Sequence, residues 1–450
     1  MRPQDPYPAK LHREKARAQV GVIRDAFEGG VATAGPEDQA TEDDAEVRYL
    51  YRPGHALVQA ERFDEVMAWF RGRGEDFEGE PERVDEPVAG HLVLVRLPSR
   101  RDRSDDVLTT VAELNATFDG EADGGDEDRP PVAAPDHLVF VTGRLPGFCP
   151  ATEPHPPRTR RPWPPQQPDP APAPADKDKI RVAVVDTGMW MKAIDSHASP
   201  WLESDDVFAD PADEEHVNTS SIHPYAGHGT FVAGVISCIA PETRIEVEGA
   251  MTHGGAIWES KIARQLDEAL DDDNRPQLIS ISAGTQTYDD RPPLSFAMLA
   301  VRHRLAERDD VLIVAAAGNN ATNERFWPAA FRWTVSVGSV DPDQAVSDFS
   351  NYGRDWVTIY ARGRDLVNAF PTGTYTCYEP PHVGQARKFD GLAQWSGTSF
   401  STPIVTGLIA AEMRDHGLSA RAAWDVVRKT AISVHDARIG EDIEIVGPLT

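Results

Sequence analysis

Apolar residues form continuous runs in the second half of the chain. Runs of four to six residues occur at 180–185, 278–281, 311–316, 334–337 and 356–360. Such runs are typical of parallel strands that are buried on both faces of a sheet. Helices are predicted between and after these strands, at 228–238, 258–270, 294–307, 400–415 and 419–430. The alternation predicts an α/β domain at 179–450 with a doubly wound, mostly parallel sheet.

Shorter elements precede this region and predict a small α+β domain at 47–145. Strands are expected at 47–51, 56–58, 91–97 and 137–141, and amphipathic helices at 62–71 and 105–118. Helices that alternate with strands in a segment of this size indicate an open sheet covered on one face. The acidic run from Glu121 to Asp128 is expected to form a loop.

Two segments flank the small domain and have the composition of linkers. Residues 1–46 combine a predicted docking helix at 9–28 with an acidic stretch at 33–46, which has few large apolar residues and predicts a linker. Residues 146–178 are rich in proline and predict an extended, semi-rigid and exposed linker.

Charge and cysteine usage exclude several classes of function. The chain has 450 residues and a formal net charge of -28, so it offers no electrostatic footprint for nucleic acid or an anionic membrane. Its cysteines, Cys149, Cys238 and Cys377, are odd in number and widely spaced, which favours a reducing compartment. No signal peptide and no membrane-spanning run are readable. We therefore expect a cytoplasmic protein.

A serine that opens an apolar helix is the first candidate for chemistry. Ser399 follows Gly397 and precedes the apolar run at 404–411. Unpaired N–H groups and the positive field of a helix N-terminus would favour a hydroxyl nucleophile there. The same pattern fits a Ser/Thr-capped helix with an early proline. A nucleophilic serine would also need a histidine, a carboxylate and an oxyanion donor.

Three further residues supply these groups in order along the chain. Asp186 follows the strand at 180–185, where open α/β sheets place their sites. His228 opens an apolar helix, and Asn319 ends a strand. Each residue alone also fits a structural role in a turn or cap. The order Asp186, His228, Asn319 and Ser399 matches the Asp, His, Ser order of subtilisin.

The local sequences around these residues match as well, and the chain resembles the subtilisin-like serine proteases, the subtilases of peptidase family S8. Over residues 179–435 it has their Asp-Thr-Gly, His-Gly-Thr-x-Val-Ala-Gly and Gly-Thr-Ser-x-x-x-Pro sequences. The resemblance implies a serine endopeptidase in which Ser399 attacks the peptide carbonyl and His228 transfers the proton. Asp186 would orient His228, and Asn319 would stabilise the oxyanion.

The resemblance also implies a set of substrate-binding residues: Ser282, Ala283, Gly284, Ala316, Gly318 and Phe326. The first three would pair with an extended substrate. Phe326 is predicted to fill the floor of the P1 pocket and to favour small P1 side chains, although core packing would explain it equally well. Phe400 stands where the family usually has methionine and should reshape the leaving-group side.

No cofactor is expected. The resemblance to subtilases implies structural calcium as an alternative, which the sequence supports less well. Subtilases often bind calcium, but the acidic segments at 205–206, 210–215 and 271–273 have no recognisable ligand pattern and are better explained as solvated loops. No metal ligands are therefore assigned.

Two interpretations of the small domain remain open. It is similar to the family's propeptide, which blocks the active site until it is cleaved. A regulatory domain that stays attached until a protein partner arrives is an equal alternative. The expected partners are protein or peptide substrates and, in the second case, a regulatory protein. The alternative function is a catalytically silent scaffold that binds peptides through a protease-like domain.

Overall fold

A computed structural model describes residues 9–449 of the chain, apart from 29, 85–90, 103, 119–129, 142–150, 172, 196, 252–253 and 274. The acidic run at 121–128, Cys149 and the first residues of the proline tract therefore lie outside the described residues. So do residues 1–8 of the predicted N-terminal segment.

The helices lie mostly where apolar periodicity predicts them. They are α1 (Ala9–Ala26), α2 (Phe63–Gly72), α3 (Leu108–Phe118), α4 (His228–Ile239), α5 (Glu259–Asp271), α6 (Leu294–His303), α7 (Thr398–His416) and α8 (Ala420–Lys429). Within the described ranges, none of them combines the length and apolar character that crossing a bilayer requires.

The strands are more numerous than the apolar runs predict. They are β1 (Ala32–Ala34), β2 (Tyr49–Gln59), β3 (Phe77–Glu78), β4 (Glu82–Arg83), β5 (Leu92–Arg96), β6 (Ser99–Arg100), β7 (Ala133–Val141), β8 (Arg181–Val185), β9 (Val207–Phe208), β10 (Arg244–Glu248), β11 (Ala256–Trp258), β12 (Leu278–Ile281), β13 (Ala283–Gly284), β14 (Leu312–Ala316), β15 (Thr334–Val340), β16 (Ile359–Arg362), β17 (Leu366–Ala369), β18 (Gly373–Thr376), β19 (Ala386–Phe389), β20 (Leu392–Trp395), β21 (Ile432–Asp436) and β22 (Glu441–Ile445).

A mostly parallel sheet organises the larger region. Its strands run in the order β9, β10, β8, β12, β14, β15, β16, β22 and β21, and β21 is antiparallel to its neighbour. Along β8, Val182 and Val184 face the core that contains α4 and α7, whereas Ala183 and Val185 face the core that contains α5 and α6. Both faces are covered, as the continuous apolar runs predict. The doubly wound α/β fold is confirmed.

An antiparallel sheet links the small N-terminal domain to this region. Its main order is β11, β7, β2, β5 and β4, with β1 against β2 and β13 against β7. Helices α2 and α3 cover one face through residues such as Val66 and Val111. The strands predicted at 47–51 and 56–58 are one strand, β2, with a register shift between Tyr51 and Ala56. Because β11 and β13 belong to the larger region, β7 is shared by both parts.

The acidic stretch at 33–46, predicted to be a linker, packs against neighbouring elements. Its first residues are in β1, where Ala34 pairs with Tyr49 of β2. Acidic side chains of the stretch lie against the basic side chains of α1, which explains why an acidic composition is ordered here. The ion pairs are Arg13 with Glu46, Arg17 with Asp43 and Arg24 with Asp44.

The described part of the predicted proline-rich linker is largely exposed, but it is bound to the larger region. Residues 151–167, which we call the strap, lie against the larger region. His155 pairs with Gln394, and Trp163 pairs with Val367 through backbone hydrogen bonds. Trp163 also packs 3.7 Å from the guanidinium of Arg362, measured to the ring centroid. Proline lacks an N–H group, but the residues between the prolines keep theirs and use them here.

The sequence patterns do not predict the β-structure at 366–395. There β17 pairs with β20, and β18 pairs with β19, both antiparallel. Each strand has four residues, too few for a period to stand out. This β-structure leads directly into α7 and supports the strap.

Candidate active site

Asp186 and His228 meet at the carboxyl end of the parallel sheet. Asp186 follows β8, and His228 is the first residue of α4. The imidazole Nδ1 lies 2.7 Å and 2.9 Å from the two carboxylate oxygens, and both side chains are fully buried. Gly229 permits this approach, because a Cβ there would lie 2.4 Å from the carbonyl oxygen of Gly188. The carboxylate thus orients the ring through Nδ1.

Ser399 lies in the first turn of α7. The residue after it, Phe400, contacts His228, and the residue before it, Thr398, contacts Asn319. The ring centroids of Phe400 and His228 are 5.2 Å apart. The Thr398 N–H donates to Asn319 Oδ1 at 2.9 Å, and the Thr398 hydroxyl donates to the same oxygen at 3.0 Å. These bonds fix the amide oxygen toward Thr398, so the amide nitrogen, which is the donor, forms the opposite end of the group. These contacts bring His228 and Asn319 next to the helical turn that carries Ser399.

The pair of Asp186 and His228 lies near a second buried carboxyl group, that of Glu215. Glu215 accepts a hydrogen bond from the N–H of Gly227 at 2.7 Å, immediately before His228. Burial raises the pKa of Glu215 well above its usual range, and the charge of Asp186 raises it further. Within the described residues, Nε2 of His228 is buried and makes no hydrogen bond. The nitrogen that a general base would use is therefore not engaged by the described part of the chain.

The edge strand β13, predicted to bind substrate, pairs with β7 of the same chain. Ala283 lies opposite Val141, and Gly284 lies opposite Phe140, in antiparallel register. The Val141 N–H also donates to the carbonyl of Gly255 at 2.8 Å. Strand β7 is therefore held between β11 and β13, in the manner expected of an extended substrate.

The register of this pairing directs β7 toward the serine. Ser282 immediately precedes β13, and its hydroxyl donates to the carbonyl oxygen of Ser399 at 2.9 Å. Because the strands are antiparallel, β7 advances from Phe140 to Val141 as β13 recedes toward Ser282. The C-terminal end of β7 therefore points toward Ser282 and the backbone of Ser399.

Phe326 lies against the backbone on both sides of the expected P1 pocket. A Cβ at Gly284 would meet its ring at 2.3 Å, and one at Gly318 would meet it at 3.0 Å. The ring is 1% exposed, and its centroid is 6.4 Å from that of Phe140. Ala316, also assigned to substrate binding, ends β14 and is fully buried. Phe326 thus belongs to the core and fills space between Gly284 and Gly318.

The strap lies on the His228 side of the same serine. The indole N–H of Trp395 donates to the carbonyl of Thr152 at 2.6 Å, and the Trp395 ring centroid lies 5.6 Å from that of His228. His155 and Gln394 exchange backbone hydrogen bonds of 2.9 Å and 2.7 Å. The strap, which follows β7 in the sequence, thus lies beside Trp395 on the His228 side of the site.

Sequence reasoning misses a group of ionisable side chains buried where β7 meets the larger region. Asp136 accepts hydrogen bonds from the N–H and hydroxyl of Ser260, at 3.2 Å and 2.9 Å. His137 Nδ1 lies 3.4 Å from Glu259 Oε1, and its Nε2 accepts the N–H of Tyr288 at 3.0 Å. No pattern along the sequence brings these residues together, since they come from distant segments.

Burial shifts the pKa of each of these groups toward its neutral form. It raises the pKa of Asp136 to about 7, with the charge of Glu259 adding to the shift. It raises the pKa of Glu259 well above the usual range and lowers that of His137 to about 4. Docking of β7 therefore depends on the protonation of groups from both parts of the chain.

One group of side chains within the described residues has the spacing of a metal site. It consists of Asp267, Asp271 and His303. The guanidinium of Arg302 pairs with both carboxylates, and His303 Nε2 lies 2.7 Å from Asp267. Because protein cations already satisfy the acidic oxygens, the group does not fit a cation site.

The acidic segments considered for calcium are engaged in a similar way. Asp206 accepts a hydrogen bond from Lys179 at 2.6 Å. Asp213 accepts one from the backbone of Gly249 at 2.8 Å. These contacts favour the interpretation of the segments as structural loops.

Known proteins match the larger region. The sequence model of the subtilase family matches residues 177–442. The thermophilic serine proteinase of Bacillus sp. (strain AK1) is 31% identical over 193 residues, which cover 41% of this chain and 41% of that protein. The intracellular serine protease of Paenibacillus polymyxa is 28% identical over 212 residues, or 44% of this chain and 57% of that protein. The matches thus span about half the length of these curated relatives.

A solved structure is similar to this chain as well. It is a cold adapted subtilisin-like serine proteinase with 22% sequence identity. The match covers 62% of this chain and 93% of that one, with a TM-score of 0.45.

Proposed function

This chain belongs to the subtilase family, and on that premise we propose that it is a serine endopeptidase with Ser399 as the nucleophile. The observation that best supports the proposal is the buried hydrogen bond of 2.7 Å between His228 Nδ1 and Asp186, beside the helical turn that carries Ser399. A carboxylate that holds a histidine in one tautomer prepares the other ring nitrogen to act as a base.

In the proposed reaction, the hydroxyl of Ser399 attacks the peptide carbonyl while His228 Nε2 takes its proton. His228 then delivers this proton to the leaving amine, and an acyl-enzyme remains on Ser399. Water then attacks the acyl carbon while His228 removes its proton. The ester bond to Ser399 breaks, the Ser399 oxygen takes the proton back from His228, and the acid product leaves. Throughout, Asp186 stabilises the imidazolium and keeps its Nδ1 hydrogen in place.

Asn319 supplies the proposed donor to the oxyanion, together with the N–H of Ser399. The Asn319 amide is oriented by two hydrogen bonds from Thr398, so its donor end needs no rearrangement as charge develops. Donors that are oriented in advance and buried stabilise a transition state more strongly than mobile ones.

We further propose that the N-terminal domain restrains the enzyme through β7. This strand occupies the edge at Ala283 and Gly284, where a substrate would pair. The side chains of Asp186, His228 and Ser399 are fully buried in this arrangement. A substrate can pair with β13 only after β7 has left.

The domain boundaries that we propose are 1–46, 47–145, 146–178 and 179–450, with one qualification. The described parts of the first and third segments pack onto neighbouring regions and do not serve as free tethers. The second segment serves either as a propeptide that is cut off or as a retained regulator that a partner displaces. The occupied edge at β13 is consistent with both.

Phe326 is proposed to limit the P1 pocket to small side chains. Its ring contacts the space beside Gly284 and Gly318, which are expected to form the two walls of that pocket. A large P1 side chain would need this volume, so the ring should exclude it on steric grounds.

The proposed place of action is inside the cell. Two relatives, from Paenibacillus polymyxa and Bacillus subtilis (strain 168), are named intracellular serine proteases. The buried Cys238 and Cys377 are free thiols, which suit a reducing compartment. A protease there must be restrained, which agrees with the proposed role of β7.

The proposal is tested with the full-length protein as wild type, Ser399→Ala and the matched control Ser401→Ala from the same helix. Wild type and control should hydrolyse a protein substrate, whereas Ser399→Ala should not. Intact mass of each protein then decides between the two roles of the small domain. Self-cleavage that requires Ser399 supports a propeptide, and an intact wild-type chain that stays inactive until docking of β7 is weakened, as in Phe140→Ala, supports a retained regulator. Hydrolysis by Ser399→Ala equal to that of wild type, or no hydrolysis by wild type and by Phe140→Ala alike, would contradict the proposed function.

A further inference from the structure

A buried carboxylate in the strap has more hydrogen-bond partners than a spacer between domains requires. Glu153 is 6% exposed. Its Oε1 accepts the hydroxyl of Tyr375 at 2.9 Å, the N–H of Tyr378 at 2.8 Å and the N–H of Glu379 at 3.4 Å. We call these three donors the carboxylate cradle.

Each strap residue next to Glu153 makes its own contact with the larger region. The carbonyl of Thr152 accepts from Trp395, and the carbonyl of Pro154 accepts from Arg387 at 2.8 Å. His155 pairs through its backbone with Gln394. Four consecutive residues thus bind through one side chain and several backbone groups, as extended peptides bind to protein surfaces.

Chain direction places this peptide on the leaving-group side of Ser399. A substrate runs from its acyl part to its leaving part in the N-to-C direction. In this chain β7 pairs with β13 next to Ser282, which bonds Ser399, and the strap, later in the sequence, lies beside Trp395 on the His228 side. Because His228 would deliver the proton to the leaving amine, the order of β7 and strap in the sequence matches the order of the acyl and leaving parts of a substrate.

The charges around the cradle suit an acidic guest. Glu379, whose N–H is one of the three donors, also carries a buried carboxyl group. Burial raises the pKa of its carboxyl well above the usual range, which favours its neutral form, while Lys15 at 3.8 Å opposes the shift. Arg387 is 6% exposed and adds a positive charge close to the strap backbone. An acidic guest in the cradle is therefore favoured over a neutral one.

We propose that the carboxylate cradle is a leaving-group subsite for a glutamate side chain of the substrate, and that Glu153 is its resident occupant. This inference rests on the proposed endopeptidase function and deepens it, since it names a substrate class. Peptides with a glutamate at one fixed distance after the scissile bond bind the cradle and displace the strap.

The geometry distinguishes glutamate from its close relatives. Hydrogen bonds to a charged acceptor are about twice as strong as those to a neutral one, so glutamine should bind less well by roughly tenfold. Aspartate is one methylene shorter and cannot reach the donors while the backbone of the peptide stays paired with Gln394. The hydroxyl of Tyr375 is the donor that a substitution can remove with least disturbance.

The test uses the full-length protein as wild type, Glu153→Gln, Tyr375→Phe and the control Tyr352→Phe. Quenched fluorescent peptides come in pairs that differ only by glutamate or glutamine, with this position moved stepwise along the leaving-group side. The quantity measured is the ratio of kcat/KM within each pair. One position should favour glutamate about tenfold in wild type and control.

Two variants separate a substrate subsite from a structural staple. In Tyr375→Phe the preference should fall to about threefold or less, because one of three donors is gone. In Glu153→Gln, kcat/KM for the glutamate peptide should rise, since the resident competitor binds more weakly. Lower thermal stability of Glu153→Gln without that rise would mean that Glu153 only holds the fold together.

The remaining outcomes distinguish this inference from the proposed function. Suppose that cleavage depends on Ser399 but that the ratio of kcat/KM for glutamate over glutamine peptides is near one at every position. This result overturns the proposed subsite and leaves the proposed endopeptidase function intact. An unchanged ratio in Tyr375→Phe also overturns the subsite. If no peptide is cleaved in a Ser399-dependent way, both the proposed function and the subsite are refuted.

Discussion

The buried Asp136 makes the docking of β7 depend on pH, and replacing it by asparagine should remove that dependence. The docked pKa of Asp136 is about 7, against an ordinary value of 3.8. A difference of about 3 units corresponds to about 4 kcal/mol, at 1.36 kcal/mol per unit. Because the docked pKa is raised, the stabilisation is complete below pH 3.8 and is lost as pH rises through 7. Asparagine resembles the protonated side chain at every pH.

His137, whose pKa shifts in the opposite direction, does not affect the comparison between wild type and Asp136→Asn. The pKa of His137 is lowered from 6.5 to about 4 on docking, so its contribution is complete above pH 6.5 and is lost as pH falls through 4. His137 and Glu259 are present in both proteins. The difference between wild type and Asp136→Asn therefore isolates Asp136.

Hydrogen exchange at the Val141 amide measures the docking free energy directly. This N–H donates to the carbonyl of Gly255 across the two parts of the chain. In a Ser399→Ala background, which keeps the chain intact, the variant and its parent should have equal protection at pH 4. At pH 8 the variant should be protected about 1000-fold more, which is the equivalent of about 4 kcal/mol.

The hydrogen-exchange test needs a control variant in which an exposed aspartate is replaced. The exposed Asp64→Asn should leave the protection of Val141 unchanged at both pH values. A protection ratio that stays near one from pH 4 to pH 8 would refute the argument, and so would weaker docking of Asp136→Asn at pH 8.

Three further substitutions probe the site itself. Asn319→Ala should lower kcat by about 10²–10³ with little change in KM, because it removes a donor that acts on the oxyanion; a near-normal kcat would exclude Asn319 from the mechanism. Phe326→Ala should open the P1 pocket, so that peptide libraries are cleaved after large apolar residues as well as small ones, and wild-type preference for large P1 residues would contradict the assigned role. Phe140→Ala removes a buried ring from β7, which costs about 3–5 kcal/mol of docking, so protein hydrolysis should begin sooner after purification; an unchanged onset would argue against restraint by β7.

The fold of the larger region is accessible from sequence because its signals are local. Each buried strand, such as 180–185 or 278–281, is a continuous apolar run, and the candidate residues Asp186, His228 and Asn319 sit in short motifs at the ends of such elements. The order of these motifs along the chain indicates that the three residues meet at one site, even without knowledge of how the helices and strands pack. The contact between Asp186 and His228 follows because β8 ends and α4 begins at the same edge of the sheet.

The features that restrain the site could not be predicted in the same way. Pairing of Val141 with Ala283 joins residues that are far apart in sequence, and β13 has only two residues. The strap has a proline-rich composition typical of exposed linkers, yet His155 and Trp163 keep the N–H groups that bind it. Composition reports an average tendency, whereas these contacts depend on single residues and their partners.

The buried ionisable groups illustrate the same limit. Asp136, His137 and Glu259 are ordinary polar residues in the sequence, and only docking removes them from water. Glu153 likewise appears as one acidic residue in a proline tract until Tyr375 is placed beside it. Their chemistry is created by long-range packing.

The most direct test of the central claim, that Ser399 is an activated nucleophile, is covalent labelling with a fluorophosphonate followed by peptide mass spectrometry. The account predicts one dominant adduct on Ser399 in the full-length wild type, and its loss in His228→Ala, because the serine needs its base. Asp136→Asn should label more slowly than wild type at pH 8, since β7 stays docked longer. Labelling of Ser399 that is undiminished in His228→Ala, or a wild type that hydrolyses protein with Ser399 unlabelled, would contradict the account.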